Sequence, residues 1–489
     1  MRMLPNLFMI GALAASVRFA QAKVLTVAKT GGAYATIQAG LGAAAAGDTV
    51  LVAAGVYGEA VSFGKSGSES GGYITLKGQT GAIIDGTGLK GDGLVSISSK
   101  SYLRVIGFEV RNLKGTGTPI GISVDGGGSH IEIRGNQVHN IENANGNAHG
   151  IAFYGTTATP LSDLIVDGNE ISACKLGQSE SMVLNGNVDG FTVSHNLVHD
   201  NDNIGIDFIG FEGNGPGTQD QARNGRCFGN HVYNISSATN PTYGGERSAD
   251  GIYVDGGKDI VIEGNTIDNC DIGIEIASEH GGKATSNITV RSNFASRSWQ
   301  GNIMAGGYAA SKGSAENIFI IGNTTYAGHD GELILQFNCK GVSIKNNIFQ
   351  AAAGGPYMEG SGSSNTGVVA DNNLYFGGSK TSPGSWPDAH AVYADPKLIS
   401  PPANLHLASG SPAIGAGLVL EAAVAGTLDV DGEGRVAGGK PDLGADEFGG
   451  ATAILLPGAG TRRRGHSFLA QGNRIPRDGL GRRARGLGL

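Results

Sequence analysis

Three ionisable side chains recur at the same place in successive strand-like segments. Asp207, Tyr253 and Glu275 each lie between two apolar residues, in the runs 206–208, 252–254 and 274–276. In an alternating strand the apolar neighbours point to one face and the residue between them points to the other. If these segments stack as neighbouring strands about 4.8 Å apart, Asp207 and Glu275 lie about 9.6 Å apart, with Tyr253 between them. This arrangement would suit acid–base chemistry on an exposed surface.

The same alignment predicts a cation site. Asp255 becomes a diagonal neighbour of Asp207 and Glu275, and carboxylates at this spacing repel one another unless a cation offsets their charge. Calcium binds oxygen ligands of this kind. We therefore expect calcium at Asp207, Asp255 and Glu275, with Asn185 close by.

Three functions are compatible with such an acidic surface; we expect the first, a calcium-assisted lyase acting on an acidic polysaccharide, and the other two are alternatives. Calcium could neutralise a uronate carboxylate while a base removes the neighbouring proton, as in a polysaccharide lyase; the candidate bases are Arg247, Lys283, His280 and Tyr253. Two carboxyl groups about 6.5–9.5 Å apart would instead suit an inverting glycoside hydrolase. The third possibility is a carbohydrate-binding or solvated acidic face without turnover.

Further residues near this surface are candidates for binding substrate. Asn185 falls in the second outward column, and Glu212 and Arg223 belong to a segment rich in glycine and polar residues. Segments of this kind often carry function, although this one could also be a tolerated insertion. Trp299 follows the Glu275 segment and could stack on a sugar ring or cover a seam between strands.

The elements that position these residues are predicted by a repeat. An asparagine ends a short apolar strand nine times, at intervals of 24 to 35 residues, and a period in this range indicates a solenoid. Asparagine tolerates the left-handed backbone of a tight bend, and stacked asparagines can form an amide ladder. We predict an all-β, right-handed parallel β-helix with these residues at one corner: Asn136, Asn169, Asn196, Asn230, Asn265, Asn293, Asn323, Asn347 and Asn373.

The composition agrees with a solenoid. Glycine accounts for 84 of 489 residues and charged residues for only 16%, as frequent turns and a continuous apolar core require. We expect an N-terminal cap at 23–49 with a helix from Thr36 to Ala45, the β-helix at 50–378, and closing strands with a cap at 379–450. The cap would protect the open end of the solenoid from strand addition.

The two ends of the chain differ from this body. Residues 1–22 have the charged start, apolar run and Ala20-Gln21-Ala22 site of an export signal, although a buried first strand is the alternative. We expect a secreted or periplasmic monomer without membrane insertion. Residues 451–489 contain eight Arg and one Asp and are predicted to be a disordered tail; a nucleic-acid-binding arm and a non-native reading frame are the alternatives.

The acidic remainder of the chain argues against nucleic acid as a partner and favours a polysaccharide.

In an exported protein, Cys174, Cys227, Cys270 and Cys339 could form disulfides. Their spacing lacks the paired pattern of a metal site. We expect free thiols buried in the core, where cysteine acts as a small apolar residue.

Two longer motifs carry a family resemblance. The run from Thr36 to Glu59, TIQAGLGAAAAGDTVLVAAGVYGE, and the closing PDLGADEF from Pro441 to Phe448 resemble the ends of pectate-lyase-like right-handed β-helix proteins, an exported bacterial family of polysaccharide lyases. The resemblance spans about residues 24–448. It implies the β-helix fold, an acidic polysaccharide as substrate, and a lysine base beside aspartates that hold calcium.

Overall fold

The structure is a computed structural model that describes residues 21–143, 145–360, 364–379 and 386–449. The predicted export signal lies almost wholly outside these residues, and the basic tail lies wholly outside them. Within the described ranges, no helix is long and apolar enough to cross a membrane.

Short strands, numbered in chain order, form three long parallel sheets in which each coil adds one strand per sheet. Sheet A has 13 strands: β1 (Val24–Val27), β2 (Thr49–Val52), β5 (Ile74–Gly78), β8 (Leu103–Ile106), β11 (Gly128–Arg134), β14 (Leu161–Asp167), β17 (Val188–Ser194), β20 (Arg223–Phe228), β23 (Lys258–Glu263), β26 (Ala284–Arg291), β29 (Ser314–Ile321), β32 (Cys339–Lys345) and β35 (Val369–Asp371).

Sheet B also has 13 strands, most of them only three residues long: β3 (Gly55–Tyr57), β6 (Ala82–Asp85), β9 (Glu109–Arg111), β12 (Gln137–His139), β15 (Glu170–Ser172), β18 (Leu197–Asn201), β21 (His231–Ile235), β24 (Thr266–Asp268), β27 (Phe294–Ser296), β30 (Thr324–Tyr326), β33 (Ile348–Gln350), β36 (Leu374–Phe376) and β37 (Val392–Tyr393).

Sheet C has 11 strands and carries the acidic residues of interest: β4 (Val61–Ser62), β7 (Gly93–Ser98), β10 (Ile120–Gly126), β13 (His149–Gly155), β16 (Met182–Gly186), β19 (Ile206–Ile209), β22 (Asp250–Asp255), β25 (Ile272–Ala277), β28 (Gly301–Ala305), β31 (Gly331–Leu335) and β34 (Met358–Gly360). The predicted parallel β-helix is thereby confirmed.

The nine asparagines form one continuous ladder, as the repeat predicted. The side-chain amide of each donates to the side-chain oxygen of the next at 2.9–3.0 Å, and all nine are buried. The last, Asn373, donates to Asp388 at 2.8 Å. One detail of the prediction was wrong: the left-handed backbone lies on the preceding residue, such as Gly264 with φ +61°. The asparagine thus contributes hydrogen bonds to the corner rather than the bend itself.

Helices are few and short. Helix α1 (Ile37–Ala43) begins at Thr36, whose side chain accepts from the Ala39 N–H. It packs closely on sheet A: a methyl group added at Gly40 would lie only 2.8 Å from Val27 and 2.9 Å from Val50. Helix α2 (Ala422–Ala425) and the antiparallel pair β38 (Leu398–Ser400) and β39 (Asn404–Leu407) belong to the closing segment. Three single 3₁₀ turns lie at Gly217–Gln219, Ser237–Thr239 and Pro241–Tyr243.

The interior is a continuous stack of Val, Ile and Leu side chains from the three sheets. The four cysteines are free and buried, as predicted for thiols that serve as small core residues.

Candidate active site

The predicted row of ionisable residues lies on the outer face of sheet C. Asp207 on β19 pairs with Tyr253 on β22, and Tyr253 pairs in turn with Glu275 on β25. Val183 precedes this row and Met304 follows it. The strand register therefore places Asp207 and Glu275 on either side of Tyr253, as the alternation in the sequence predicted.

This part of the outer face is covered. Asp207 is 2% exposed, Tyr253 5% and Glu275 6%, whereas a bare solenoid face would leave outward side chains in water. Segments 210–222 and 278–283 follow β19 and β25 at one end of the strands, and segment 236–249 precedes β22 at the other. The row is therefore the floor of a covered cleft, and we call it the acidic floor.

Glu275 shares a hydrogen bond with Asp250, the first residue of β22. Burial raises the pKa of Glu275 to about 7, although the hydrogen bonds from Asp250 and Gln336 act to lower it. Burial and the charge of Glu275 raise the pKa of Asp250 well above its usual range. The two hydrogen-bonded carboxyl groups therefore both have raised pKa values. Gln336 Nε2 fixes the Glu275 carboxylate by donating to its Oε1 at 3.0 Å.

Asp207 lies among other acids. Burial, followed by the charges of Glu180 and Asp255, raises the pKa of Asp207 well above its ordinary value. Its Oδ1 atom is buried and has no hydrogen-bond partner among the described residues. Asp207 therefore has one oxygen free for a bound molecule. Asp207 and Glu275 thus lie in one row with different surroundings, as separate acid and base roles require.

At the C-terminal end of β22, Asp255 lies close to Glu212 and His280 of the two flanking segments. One potential ligand atom from each of Glu212, Asp255 and His280 lies within 4.8 Å of the others. Within the described ranges, the second such group is His406, Asp431 and Asp446 in the closing segment. Within the described residues, the calcium set predicted from the sequence (Asp207, Asp255 and Glu275) does not form such a group. The Glu275 carboxyl group instead hydrogen-bonds Asp250, at the N-terminal end of β22.

The predicted substrate-binding residue Asn185 lies beside the cluster of Glu212, Asp255 and His280. Its Nδ2 donates to Glu212 Oε2 at 2.8 Å, and its Oδ1 accepts from Asn214 at 3.0 Å. Asn185 therefore ties segment 210–222 down onto the outer face of sheet C. We call segment 210–222 the cleft wall.

Arg223 lies on sheet A at the base of this wall. Its guanidinium donates to the Gln221 carbonyl oxygen at 3.0 Å and to Asn187 Oδ1 at 2.9 Å, and it pairs with Asp189 at 3.1 Å. These contacts hold the insertion in place and occupy the side chain that the sequence suggested for binding substrate.

The predicted bases lie at the two edges of the cleft. Arg247 pairs with buried Asp271 at 3.4 Å and lies 4.6 Å from the ring centre of Trp299. Trp299 also stacks on His329 at 4.6 Å and remains 45% exposed. At the opposite edge, the ammonium of Lys283 lies 5.2 Å from the ring centre of Phe211. Arg247 and Trp299 thus form one edge of the cleft, and Lys283 belongs to the other.

Sequence reasoning missed a buried group beside the floor. Tyr154 Oη lies 3.0 Å from His149 Nε2, and His149 Nδ1 lies 3.4 Å from Glu180 Oε2. Burial raises the pKa of Glu180 to about 8 and lowers that of His149 to about 4. His149 and Glu180 each lie two residues before the aligned apolar residues Ile151 and Met182. Extending the alignment by two positions would have found both of them together with Asp250.

Comparisons with known proteins agree with this architecture. The family described as right handed beta helix region matches residues 92–280 and 224–384. An uncharacterized protein of Bacillus subtilis (strain 168), YwoF, is 37% identical over 348 residues, which are 68% of this chain and 74% of that protein.

Two solved structures have similar folds. Pectate lyase Pel9A has a TM-score of 0.51 at 15% identity, over 88% of this chain and 97% of that one. The A-module of the Azotobacter vinelandii mannuronan C-5 epimerase AlgE6 has a TM-score of 0.49 at 14% identity, over 74% of this chain and 94% of that one. At 15% identity, the likeness to Pel9A shows only the fold. On the family match and the described coils, the chain belongs to the right-handed β-helix family.

Proposed function

We propose that this chain is a polysaccharide-active enzyme and that the acidic floor is its active site. The observation that carries the proposal is the burial of Asp207, Tyr253 and Glu275 in one row of paired strands. Buried carboxyl groups without a cationic partner cost stability. Together with shifted pKa values in a cleft, they are typical of a site for proton transfer.

The geometry best supports hydrolysis of a glycosidic bond. The raised pKa of Asp207 favours its protonated form, which would donate the proton to the leaving oxygen. Glu275 ionises near pH 7 and would take a proton from the attacking water. Their backbones lie two strands apart, about 9.6 Å, a spacing compatible with the carboxyl separation of inverting hydrolases. Tyr253 lies between them, where a sugar ring would bind.

Metal-assisted β-elimination on a uronate polysaccharide is the second candidate. It is favoured by Glu212, Asp255 and His280, which lie close enough together to hold a cation. That cation would neutralise the substrate's carboxylate, and Lys283, at the same end of the strands, could serve as the base. The similar fold of a pectate lyase makes uronate polymers reasonable test substrates.

One assay separates these functions. The purified chain is incubated with a panel of neutral and uronate polysaccharides, with and without chelator, while new reducing ends and ultraviolet absorbance are measured. Hydrolysis predicts reducing ends without absorbance, and β-elimination predicts both. If no polysaccharide on the panel is cleaved but one binds, the chain is a binding protein and the proposal is wrong.

We also infer that α1 covers the first end of the solenoid. The helix packs on β1 and β2 through Ile37, Gly40 and Leu41, and β1 is the outermost strand of sheet A. Covering that edge would block the addition of further strands. The test is to remove residues 23–46, which should convert the monomer into larger species in light scattering. A truncated chain that stays monomeric would contradict the capping role.

A further inference from the structure

We propose that Glu212, Asp255 and His280 form a binding site for a divalent first-row transition-metal ion. This site differs from the calcium set predicted from the sequence in two of its three residues. It lies at the C-terminal end of β22, between the cleft wall 210–222 and segment 278–283. The inference stands whether or not the acidic floor cleaves a polysaccharide.

Neighbours hold two of the three side chains in place and leave carboxylate oxygen atoms free. Glu212 Oε2 accepts from Asn185 at 2.8 Å, and Asp255 Oδ1 accepts from the Glu279 N–H at 2.8 Å. Such contacts orient ligands in known metal sites. His280 Nε2 is buried and has no hydrogen-bond partner among the described residues. A buried imidazole nitrogen without a partner is unfavourable unless something binds it.

A second buried group beside the cluster also lacks a partner. Asp207 is 2% exposed, and its Oδ1 atom has no hydrogen bond within the described part of the chain. The Asp255 backbone hydrogen-bonds the Asp207 carboxyl group, which places that group next to the cluster. The ammonium of Lys283 lies over the Phe211 ring on the exposed rim, and Lys312, whose charge acts on Asp255, lies on the surface. A bound dication would therefore offset acidic groups that the protein itself leaves unbalanced.

The ligand types select the class of metal. Calcium takes oxygen ligands, whereas an imidazole with carboxylates suits zinc, manganese and other first-row ions. Three protein ligands leave a coordination position open to water or substrate, as in catalytic rather than structural zinc sites. Asp255 belongs to the same strand as Tyr253 of the acidic floor, so a bound metal would lie beside a polysaccharide held there.

The test measures metal binding directly. Metal-free protein is titrated with Zn²⁺, Mn²⁺ and Ca²⁺ by calorimetry, and bound Mn²⁺ is examined by pulsed electron paramagnetic resonance for a coordinated nitrogen. We expect one equivalent of Zn²⁺ and of Mn²⁺, with Ca²⁺ at least tenfold weaker. His280→Ala and Glu212→Gln should each weaken Zn²⁺ binding at least tenfold, and His280→Ala should remove the nitrogen signal.

The matched controls are His390→Ala and Glu69→Gln, both at exposed positions outside the cleft, and they should bind metal as the wild type does. Circular dichroism would show whether each variant is folded. The proposal is overturned if the wild type binds neither Zn²⁺ nor Mn²⁺, or if His280→Ala binds them unchanged. It is also overturned if Ca²⁺ binds as tightly as Zn²⁺ regardless of His280, a result that would favour an all-oxygen calcium site. None of these outcomes depends on turnover of a polysaccharide.

Discussion

Asp207 and Glu275 lie on strands β19 and β25 of sheet C, and both pair with the same residue of β22, Tyr253. Each has its own immediate neighbours. Asp207 lies near Glu180 and Asp255, whereas Glu275 shares a hydrogen bond with Asp250 and accepts one from Gln336. Two carboxyl groups in one row are thus given different proton affinities by what surrounds them.

The first prediction concerns Gln336 and the pH profile of activity. Because a general base must be ionised, kcat/KM should fall as the pH drops through about 7, the pKa of Glu275. Gln336 lowers that pKa by donating to the carboxylate, so Gln336→Leu should move the acidic limb of the profile to higher pH. A general loss of folded protein would lower activity at every pH without moving the limb. An unmoved limb would contradict the role of Glu275 as the base.

The second prediction concerns stability and pH. The pKa of Glu275 is raised from 4.5 to about 7 in the folded protein, so the native state binds more protons than the unfolded state between these values. The free energy of unfolding should therefore decrease as the pH rises from about 4.5 to about 7. Denaturant titrations at several pH values would measure this slope.

In Glu275→Gln the slope should be shallower, because the titrating group is gone while Asp250 and Glu279 remain close by. Glu69→Gln is the matched control, since Glu69 is exposed outside the cleft and should keep the wild-type slope. Equal slopes in the wild type and Glu275→Gln would show that Glu275 does not hold a proton in the fold at neutral pH.

The third prediction concerns the asparagine ladder. In Asn265→Leu, the N–H and side-chain amide of Asn230 lose their acceptor, and the Cys227 carbonyl loses its donor. All three groups are buried, so the free energy of unfolding should fall by more than about 3 kcal/mol. Gln137→Leu removes an exposed amide on sheet B and should change it by less than about 0.5 kcal/mol. A loss in Asn265→Leu no larger than in this control would mean that the ladder contributes little.

The fold could be predicted from the sequence because its signals are local and repeated. The asparagine corner and the apolar alternation recur in each coil, and together they fix the register that brings Asp207, Tyr253 and Glu275 into one row. The sequence analysis assigned the left-handed conformation to each asparagine, whereas the residue before it adopts that conformation. The two could not be told apart because asparagine and glycine both favour it.

The partners within the site could not be predicted in the same way. Gln336 donates to Glu275 from 61 residues away in the chain. Neither the asparagine repeat nor the apolar alternation indicates this contact. His280 belongs to an irregular segment, so strand alternation gives it no position, and the predicted calcium set therefore omitted it. Arg223 was suggested for the cleft because it belongs to the predicted insertion, whereas it lies on sheet A and holds the insertion's base.

The central claim is that the acidic floor is the active site, and turnover by Asp207→Asn and Glu275→Gln on a cleaved polysaccharide tests it most directly. Both changes keep the shape of the side chain and remove its proton chemistry, while Asp163→Asn and Glu69→Gln make the same chemical changes at exposed positions. We predict that each floor variant loses at least a hundredfold in kcat while remaining folded, and that both controls keep the wild-type rate. Full activity in both floor variants would contradict the assignment and move the chemistry away from sheet C.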